Sequence, residues 1–472
     1  MGDVRRSRRF RTVVQAIADN PGASLPQLFP KPADYNACLR LFDSPHCSHQ
    51  NILGAHASAA LDAIENHPGV VLLIHDATVL DFSGHTALEA DLGPVGNGGG
   101  RGWLAHQAIA VNPLDRTVFG PVSQILHVRD TVPEGESVAA RRERAGRESL
   151  LWQRGLDAIG PTPEPADWID VCDRGADVFE FLRQLRDRRR RFVVRSTHNR
   201  ALGVGPTDGK AEHWLHDTLR ATPAQACWDL TLPARAKQPG RVARPSVNAV
   251  SVELRPPHVR KGLHRREAVA VNAVRVWEEH PPAGVEALDW LLLTGEAVDT
   301  PEQLRRVADW HACRMPIEEF HKVQKSGLSV EGCRVQCVEK VAALVAVLSV
   351  VSAGLMNLRL AMRAPATATR PARELVPGLW TEVLSRMQTG RVHPDWTVEQ
   401  FWVQLARLGG YQKNPAKHPP GWITVWRGWQ ILHALIRYEN RSTPKMQGTV
   451  SAHASGSAHF SGSSQMLRNW TG

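Results

Sequence analysis

The chain has 472 residues, of which 42% are hydrophobic and 22% are charged. This composition is ordinary for globular proteins, excludes a fibrous or wholly disordered chain, and leaves room for about two or three domains. The formal net charge of +10 favours a polyanionic partner, either nucleic acid or an acidic membrane surface, although solubility alone would also account for it.

The sequence indicates a cytoplasmic protein. Its start, MGDVRRSRRFRTVVQ, lacks the apolar core and cleavage site of a signal peptide. The uncharged run between Lys340 and Arg359 approaches the length of a membrane span, but Ser349 and Ser352 interrupt it, so a buried core helix is favoured. The seven cysteines are odd in number and irregularly spaced, which fits a reducing compartment. We expect no membrane partner.

Residues 1–66 are predicted to form a helical domain. Apolar residues from Phe10 to Ile17 recur at helical spacing, Asp34 is expected to cap a second helix, and a third is predicted from about 51 to 66. The first helix carries a cluster of arginines that could grip phosphates or simply form a solvated helix face. These residues are Arg5, Arg6, Arg8, Arg9 and Arg11.

Residues 67–199 are predicted to form the first part of an α/β core. The apolar run 70–74 is typical of a strand that is buried on both faces. Further strands are predicted at 104–111, 118–128, 168–172 and 192–195, with helices near 138–158 and 176–187. This order predicts a mixed sheet flanked by helices.

The remaining segments differ in composition. Residues 200–299 are predicted to be a β-rich insertion with strands at 247–254 and 269–276, and 300–363 to complete the core with helices. A helical, Trp-rich region is predicted at 364–440, and 441–472 form a low-complexity tail that we expect to be disordered. The insertion is basic through Arg235, Lys237, Arg241, Arg244, Arg260, Lys261, Arg265 and Arg266.

Two aspartates follow predicted buried strands. Asp76 is predicted to end the first strand, and Asp173 follows strand 168–172. Because burying a charge is costly without a partner, carboxylates at such positions favour a divalent metal site, although a strand-terminal Asp is also a common turn residue or helix cap. Mg²⁺ prefers oxygen ligands of this kind.

A third carboxylate lies in the segment HACRMPIEEFHKVQKSG, residues 311–327. Pro316 fits the start of a helix, which puts Glu318 in its first turn. Lys322 and Lys325 follow at helical spacing, so the same residues could form an ordinary surface ion pair.

Nine short motifs resemble, in the same order and spacing, the Tn-five-type transposases of the insertion-sequence 4 family, which belong to the acidic-triad (DDE) group. The similarity extends from about Gly2 to about Tyr438. The motifs are GDVRRSRRF at the start, HDATVL around Asp76, RGWLAHQAI from Arg101, VCDRGAD around Asp173, RFVVRSTH around Arg195, WLLLTGEAV from Trp290, IEEFHK around Glu318, ARLGG and WRGWQIL.

The resemblance implies a ribonuclease-H-like core with a β-rich insertion between the second Asp and the Glu, flanked by helical N- and C-terminal domains. It implies that Asp76, Asp173 and Glu318 hold divalent metal in the form of two Mg²⁺ ions, with Mn²⁺ as an alternative. The family's Tyr–Arg–Glu–Lys signature maps onto His311, Arg314, Glu318 and Lys325, whose basic members hold a DNA phosphate. Trp290 matches a tryptophan that stacks on an extruded base, although it could simply anchor the apolar run 291–293. Further DNA contacts are implied for Arg101, Arg195, Arg5, Arg6, Arg8 and Arg9.

Two departures from the family pattern alter these expectations. His311 stands where the signature has tyrosine. Pro316 biases Met315 away from helical geometry, so we expect Arg314 to precede the helix that carries Glu318.

The resemblance implies DNA transposition by a cut-and-paste recombination reaction. Nicking at each transposon end frees a 3′ hydroxyl, which forms a hairpin; the hairpin is opened, and the 3′ ends join target DNA. The expected partners are double-stranded transposon-end and target DNA and a second copy of the chain, in a nucleoid-associated bacterial complex. Trp422, Trp426 and Trp429 are candidate dimer anchors, although they could equally form internal core. A non-catalytic DNA-binding inhibitor of transposition and a general ribonuclease-H-like nuclease are the alternatives.

Two other patterns are weaker. The glycine-rich segment 93–102 lacks the residues of a nucleotide-binding loop and is predicted to be a mobile loop between strands near the active site. His75, His85 and His106 could be zinc ligands, but we favour positions behind the carboxylates or facing DNA.

Overall fold

The computed structural model describes residues 3–132, 135–137, 140, 144–203, 213–232, 240–257, 267–415, 418 and 420–442. Six of the basic insertion residues therefore lie outside the described residues: Arg235, Lys237, Arg260, Lys261, Arg265 and Arg266. The predicted tail, 441–472, also lies outside them except for residues 441 and 442. The described residues form two compact units. We call Met1–His49, Lys322–Cys333 and Ala343–Gly472 the helical unit, and Gln50–His321 with Arg334–Ala342 the sheet unit.

The helical unit begins with three helices: α1 (Val4–Asp19), α2 (Leu25–Leu28) and α3 (Pro32–Phe42). Val13, Val14 and Ile17 form the buried face of α1, as their spacing predicts, and Asp3 caps its N-terminus. The expected capping role of Asp34 is wrong, because Lys31 occupies the cap position of α3 and Asp34 lies in the first turn. α4 (His49–Glu65) begins in this unit and continues into the sheet unit.

The later helices of the described chain include a long apolar one. They are α10 (Val338–Arg363), α11 (Pro365–Ala368), α12 (Gly378–Thr389), α13 (Val398–Leu408) and α14 (Trp422–Ser442). α10 is long and apolar enough to cross a membrane, but 78% of its apolar window is buried within the protein, as in the core helix of a soluble protein. Ser349 and Ser352 satisfy their buried hydroxyls by donating to the carbonyls of Val345 and Leu348.

The tryptophans of α14 are internal where they are described. Trp426 and Trp429 are 5% and 1% exposed, and the indole N–H of Trp429 donates to His433 Nε2 at 2.6 Å. Trp380 packs edge-to-face against Trp429. Dimer anchoring by these two tryptophans is therefore wrong, because their side chains already fill the core of the helical unit. The Trp422 side chain lies outside the described residues.

The sheet unit contains twelve described strands. They are β1 (Val71–Asp81), β2 (Gly93–Val95), β3 (Gly100–Val111), β4 (Val118–His127), β5 (Trp168–Cys172), β6 (Arg191–Arg195), β7 (Ala226–Cys227), β8 (Leu230–Leu232), β9 (Arg241–Ala243), β10 (Ser246–Leu254), β11 (Val269–Trp277) and β12 (Asp289–Thr294). Ten of them form one mixed sheet, and β8 and β9 form a separate two-stranded sheet.

The central strand order is β4-β3-β1-β5-β6. β1 is antiparallel to β3 and parallel to β5, which is parallel to β6. This is the mixed α/β order of a ribonuclease-H-like core, so the predicted fold class is confirmed. β12, β11, β10 and β7 continue the same sheet beyond β6 through antiparallel pairs, so the β-rich segment extends the sheet.

Helices cover both faces of the sheet. α4, α5 (Leu151–Ile159) and α6 (Phe179–Asp187) contribute Ile64, Leu156 and Phe181 to buried clusters with β1, β3 and β5 on the first face. α7 (Leu215–Ala221) packs on β10 and β11. α8 (Pro301–Ala312) packs on β5 and β6 and is followed by α9 (Met315–Lys322).

The glycine-rich segment forms a hairpin. Gly93–Val95 pairs with Gly100–Gly102, and the turn uses positive φ values at Gly96 and Gly98. The prediction of a mobile loop is therefore wrong over most of the segment, because both of its ends are paired strands.

Candidate active site

Asp76 and Asp173 lie side by side because of the register between β1 and β5. The two strands run parallel and pair as far as His75 and Cys172, so the next residue on each is one of the aspartates. Asp173 directly follows β5, as predicted, and caps a short 3₁₀ helix by accepting from the Gly175 N–H at 2.9 Å. Asp76 does not end its strand, which continues to Asp81 because β3 pairs with it along its whole second half.

Arg314 joins Asp76 to Glu318. α8 begins with a capping box at Thr300, and after a two-residue turn that contains Arg314 the chain enters α9. The Arg314 guanidinium donates to Asp76 Oδ2 at 3.1 Å and to Glu318 Oε1. Arg314 thus precedes the Glu318 helix, as expected, although Met315 is helical despite Pro316.

Asp76 lies in an unusual electrostatic environment. Burial raises the pKa of Asp76 to about 6, opposed by the positive charge of Arg314 and reinforced by the negative charge of Asp173. The Ala77 N–H, which donates to Asp76 Oδ1 at 2.8 Å, also lowers this pKa. His321 Nδ1 lies 4.0 Å from the other Asp76 oxygen. Arg314 therefore already supplies a cation to this buried carboxylate, and its effect on the pKa exceeds that of Asp173.

The donor set suits a hard divalent metal. Carboxylate oxygens are the ligands that Mg²⁺ and Mn²⁺ prefer, and the Arg314 cation already stands between two of them. Within the described residues, no group of three or more Asp, Glu, His or Cys side chains is already close enough together to hold a metal ion. Metal binding by Asp76, Asp173 and Glu318 therefore stays a prediction.

A cleft of about 450 Å³ adjoins Arg314 and Glu318. Trp290, His311 and Arg195, which the resemblance implied, line the same cleft, together with the exposed Arg174. Trp290 is 4% exposed and packs edge-to-face on the His311 ring at 4.9 Å. Cationic and aromatic side chains thus line one cleft beside Glu318.

Arg101 lies apart from this cleft. It pairs with Pro94 in the β2–β3 hairpin, six residues along β3 from Gln107, the partner of Asp76. At about 3.4 Å per residue this is roughly 20 Å from Asp76. Arg101 lines a different cleft of about 670 Å³, whose arginines are largely paired with glutamates.

Lys325 lies in the helical unit, in the π-helical turn Val323–Gly327. Its ammonium group pairs with Glu331 at 3.4 Å. The α-helical spacing expected of Glu318, Lys322 and Lys325 holds for Lys322, which lies with Glu318 on α9. It does not hold for Lys325, because a π-turn adds a residue.

The arginines of α1 divide into two groups. Arg5, Arg8 and Arg11 are exposed at three-residue spacing and so share one helix face. Arg6 is half-buried, and Arg9 pairs with Asp34 at 3.3 Å.

A buried charged cluster on β1, on β5 and at the residue before β6 was not predicted. His75, Asp170 and Arg190 are 0%, 0% and 4% exposed and are hydrogen-bonded to one another. The only signal in the sequence is a single acid inside the apolar strand WIDVC. Of the two placements expected for His75 and His106, facing DNA is wrong, since both rings are fully buried and His106 packs on Trp152. Their burial agrees only with a position behind the carboxylates. His85 is also buried.

Residues 1–47 match a family model described as transposase DNA-binding. The match covers α1 to α3 and the whole arginine cluster. It supports a DNA-binding transposase and DNA as the partner of the N-terminal helices.

Proposed function

We propose that the chain is a cut-and-paste DNA transposase of the Tn-five type. The observation that carries the proposal has two parts. The pairing of β1 with β5 puts Asp76 and Asp173 directly after paired residues, and Arg314 joins Asp76 to Glu318. The N-terminal similarity to transposase DNA-binding domains supports the same class independently. The substrate is double-stranded DNA at the ends of a transposable element, followed by target DNA.

Asp76, Asp173 and Glu318 would hold two Mg²⁺ ions, or Mn²⁺ in their place. When bound, such ions activate an oxygen nucleophile and stabilise the charge that develops at phosphorus. The three carboxylates, at the junction of β1, β5 and α9, would offset the positive charge of these ions. Every step of nicking, hairpin formation, hairpin opening and strand transfer is an in-line displacement at phosphorus, so one site can serve all of them.

Arg314 has two roles in this proposal. In the DNA-free protein it neutralises Asp76 and Glu318. A DNA phosphate that enters the adjoining cleft competes with these carboxylates for the guanidinium, which binds phosphate well because of its planar array of donors. Arg314 then orients the phosphodiester, and the two carboxylates are freed.

The cleft beside the carboxylates would hold the cut strand. Arg195 and His311 provide polar contacts, and Trp290 provides an aromatic surface for an extruded base. Because Trp290 is 4% exposed and covered by His311, the His311 ring must move before a base can stack there. The exposed face of Arg5, Arg8 and Arg11 would bind end DNA through its phosphates. Two copies of the chain, one per end, would act together in the bacterial cytoplasm on nucleoid DNA.

The test compares wild type with Asp173→Asn on DNA that carries the sequences flanking the coding region. We expect the wild type to release 3′ ends with Mg²⁺ and to join them to target DNA, and Asp173→Asn to bind the same ends without cutting. Asp62→Asn makes the same chemical change at an exposed position of α4 and should cut normally.

The alternatives give other results. End binding without any cutting by wild type would identify a non-catalytic inhibitor of transposition. Cutting without preference for the end sequence and without strand transfer would identify a general nuclease. Undiminished cutting by Asp173→Asn would remove Asp173 from the site.

A further inference from the structure

We infer that the buried cluster of His75, Asp170 and Arg190 is a positioning device that fixes the register of β1 against β5. The inference rests on the proposed function, because its consequence is the alignment of Asp76 with Asp173. None of the three clustered residues lines the catalytic cleft.

The cluster is held together by several hydrogen bonds. His75 Nε2 donates to Asp170 Oδ1 at 2.9 Å. Arg190 donates to both oxygens of Asp170, at 2.7 and 3.0 Å, and to Thr162 Oγ1 at 2.6 Å. The single carboxylate of Asp170 thus receives a bidentate arginine and a histidine. Such charge-assisted bonds are strong and depend on geometry.

The members of the cluster belong to the elements that carry the site. His75 immediately precedes Asp76 on β1, Asp170 lies on β5 three residues before Asp173, and Arg190 directly precedes β6. Successive residues of a strand point to opposite faces, so His75 and Asp76 point to opposite faces of the sheet. The cluster therefore acts on the catalytic carboxylates through the backbone.

The apolar residues of these strands specify their register poorly. Around the cluster, β1 runs through Val71, Leu72, Leu73 and Ile74, and β5 contributes Ile169 and Val171 beside Trp168 and Cys172. The aliphatic residues among these replace one another with little loss. A slip of two residues keeps every side chain on its own face. It would move Asp76 about 6.6 Å along the strand relative to Asp173, which would abolish their pairing at one site.

The charged cluster distinguishes the native register from the slipped one. The same two-residue slip displaces His75 by about 6.6 Å relative to Asp170 and breaks the 2.9 Å hydrogen bond. A buried carboxylate and guanidinium in poor geometry are costly, whereas an apolar core has no such penalty. In the described sheet unit, the charged cluster lies on the two strands whose alignment places Asp76 beside Asp173.

The test replaces the cluster by apolar residues in the full-length chain: His75→Leu, Asp170→Leu and Arg190→Met combined. Such replacements often preserve folding. We expect end binding and KM for DNA to stay within about twofold, and kcat for cleavage to fall at least about tenfold, since small misplacement is costly in catalysis. Hydrogen exchange of the amides in 71–75 and 168–172 should be at least about tenfold faster.

Asn248→Leu is the matched control. Asn248 is fully buried and donates to the Leu219 carbonyl at 2.9 Å, but it lies on β10, five strands from β1. We expect this variant to keep the wild-type kcat and the wild-type exchange in β1 and β5. An equal fall of kcat in Asn248→Leu would overturn the inference, because any loss of a buried polar group would then suffice.

The other outcomes are also decisive. A folded triple variant with wild-type kcat and wild-type exchange overturns the inference and leaves the proposed function intact. If the triple variant does not fold, Arg190→Lys, which keeps the charge but loses the bidentate geometry, should lower kcat severalfold at constant KM; unchanged kcat overturns the inference. If the wild type does not cut DNA, the proposed function fails, and the exchange measurement alone decides on the register.

Discussion

Neutralising Asp170 should destabilise the protein in a pH-dependent way. Its partners hold the pKa of this buried carboxyl at about 2, against an ordinary value of 3.8; the Arg190 guanidinium and the hydrogen bond from His75 outweigh the opposing effect of burial. At 1.36 kcal/mol per pKa unit, this depression corresponds to about 2 kcal/mol of stabilisation at neutral pH. Asp170→Asn also leaves Arg190 buried without a counter-ion, so we expect a loss of about 3–5 kcal/mol at pH 7.

The pH dependence has a definite sign. Because the folded pKa of Asp170 lies below the unfolded one, the unfolded chain takes up the proton first as pH falls. The stabilisation is complete above about pH 5 and is lost as pH falls through about 2. The difference in unfolding free energy between wild type and Asp170→Asn should therefore shrink by about 1 kcal/mol between pH 7 and pH 3.

Urea unfolding of both proteins at the two pH values measures this difference. Asp62→Asn, an exposed change on the same unit, should show almost no loss at either pH. A loss below about 1 kcal/mol for Asp170→Asn at pH 7, or an equal loss at pH 3 and pH 7, would refute the reasoning.

Three further results are expected. Arg8→Ala should lower the salt slope of DNA binding by about 0.9, because Arg8 is exposed. Arg9→Ala should lower it less, because Arg9 pairs with Asp34. A larger effect of Arg9→Ala would contradict the division of the α1 arginines into an exposed group and a paired or half-buried group. Arg314→Ala should raise the Mn²⁺ affinity of the DNA-free protein at least about tenfold, because it removes a charge-assisted hydrogen bond worth about 1.5–3 kcal/mol. Calorimetry measures this affinity. Weaker Mn²⁺ binding by the variant would contradict competition between the guanidinium and the metal for Asp76 and Glu318. Trp429→Ala should cost about 3–5 kcal/mol in urea unfolding, since its indole is 1% exposed; a loss under about 1 kcal/mol would contradict its core position.

The elements that the sequence predicted well are the buried ones. The strand at 168–172 has the predicted bounds, because a strand buried on both faces is mostly apolar, and here only Asp170 interrupts the run. The second half of β1, from Asp76 to Asp81, was missed because Asp76, Thr78 and Asp81 interrupt its apolar residues and only Leu80 is buried. Only its pairing with β3 makes it a strand, and such non-local pairing leaves no local pattern in the sequence.

The candidate site was predictable in its carboxylates but not in its contacts. Asp76, Asp173 and Glu318 each belong to a recognisable motif, and two of them end up on adjacent strands. The ion pair between Arg314 and Asp76 joins residues 238 positions apart, so no spacing rule could predict it. The role of Trp426 as core was undetermined, because tryptophans at helical spacing serve both interfaces and interiors.

The antiparallel pairing of β12 with β6 has a mechanical consequence. The strand that carries Trp290 is part of the same hydrogen-bonded sheet as the strand that carries Asp76, three strand spacings or about 14 Å away. A hydrogen-bonded sheet is stiff in its own plane, so the distance between the strand of Trp290 and the strand of Asp76 is nearly constant. Under the proposed function, a DNA strand that reaches both Trp290 and Asp76 has to span this separation.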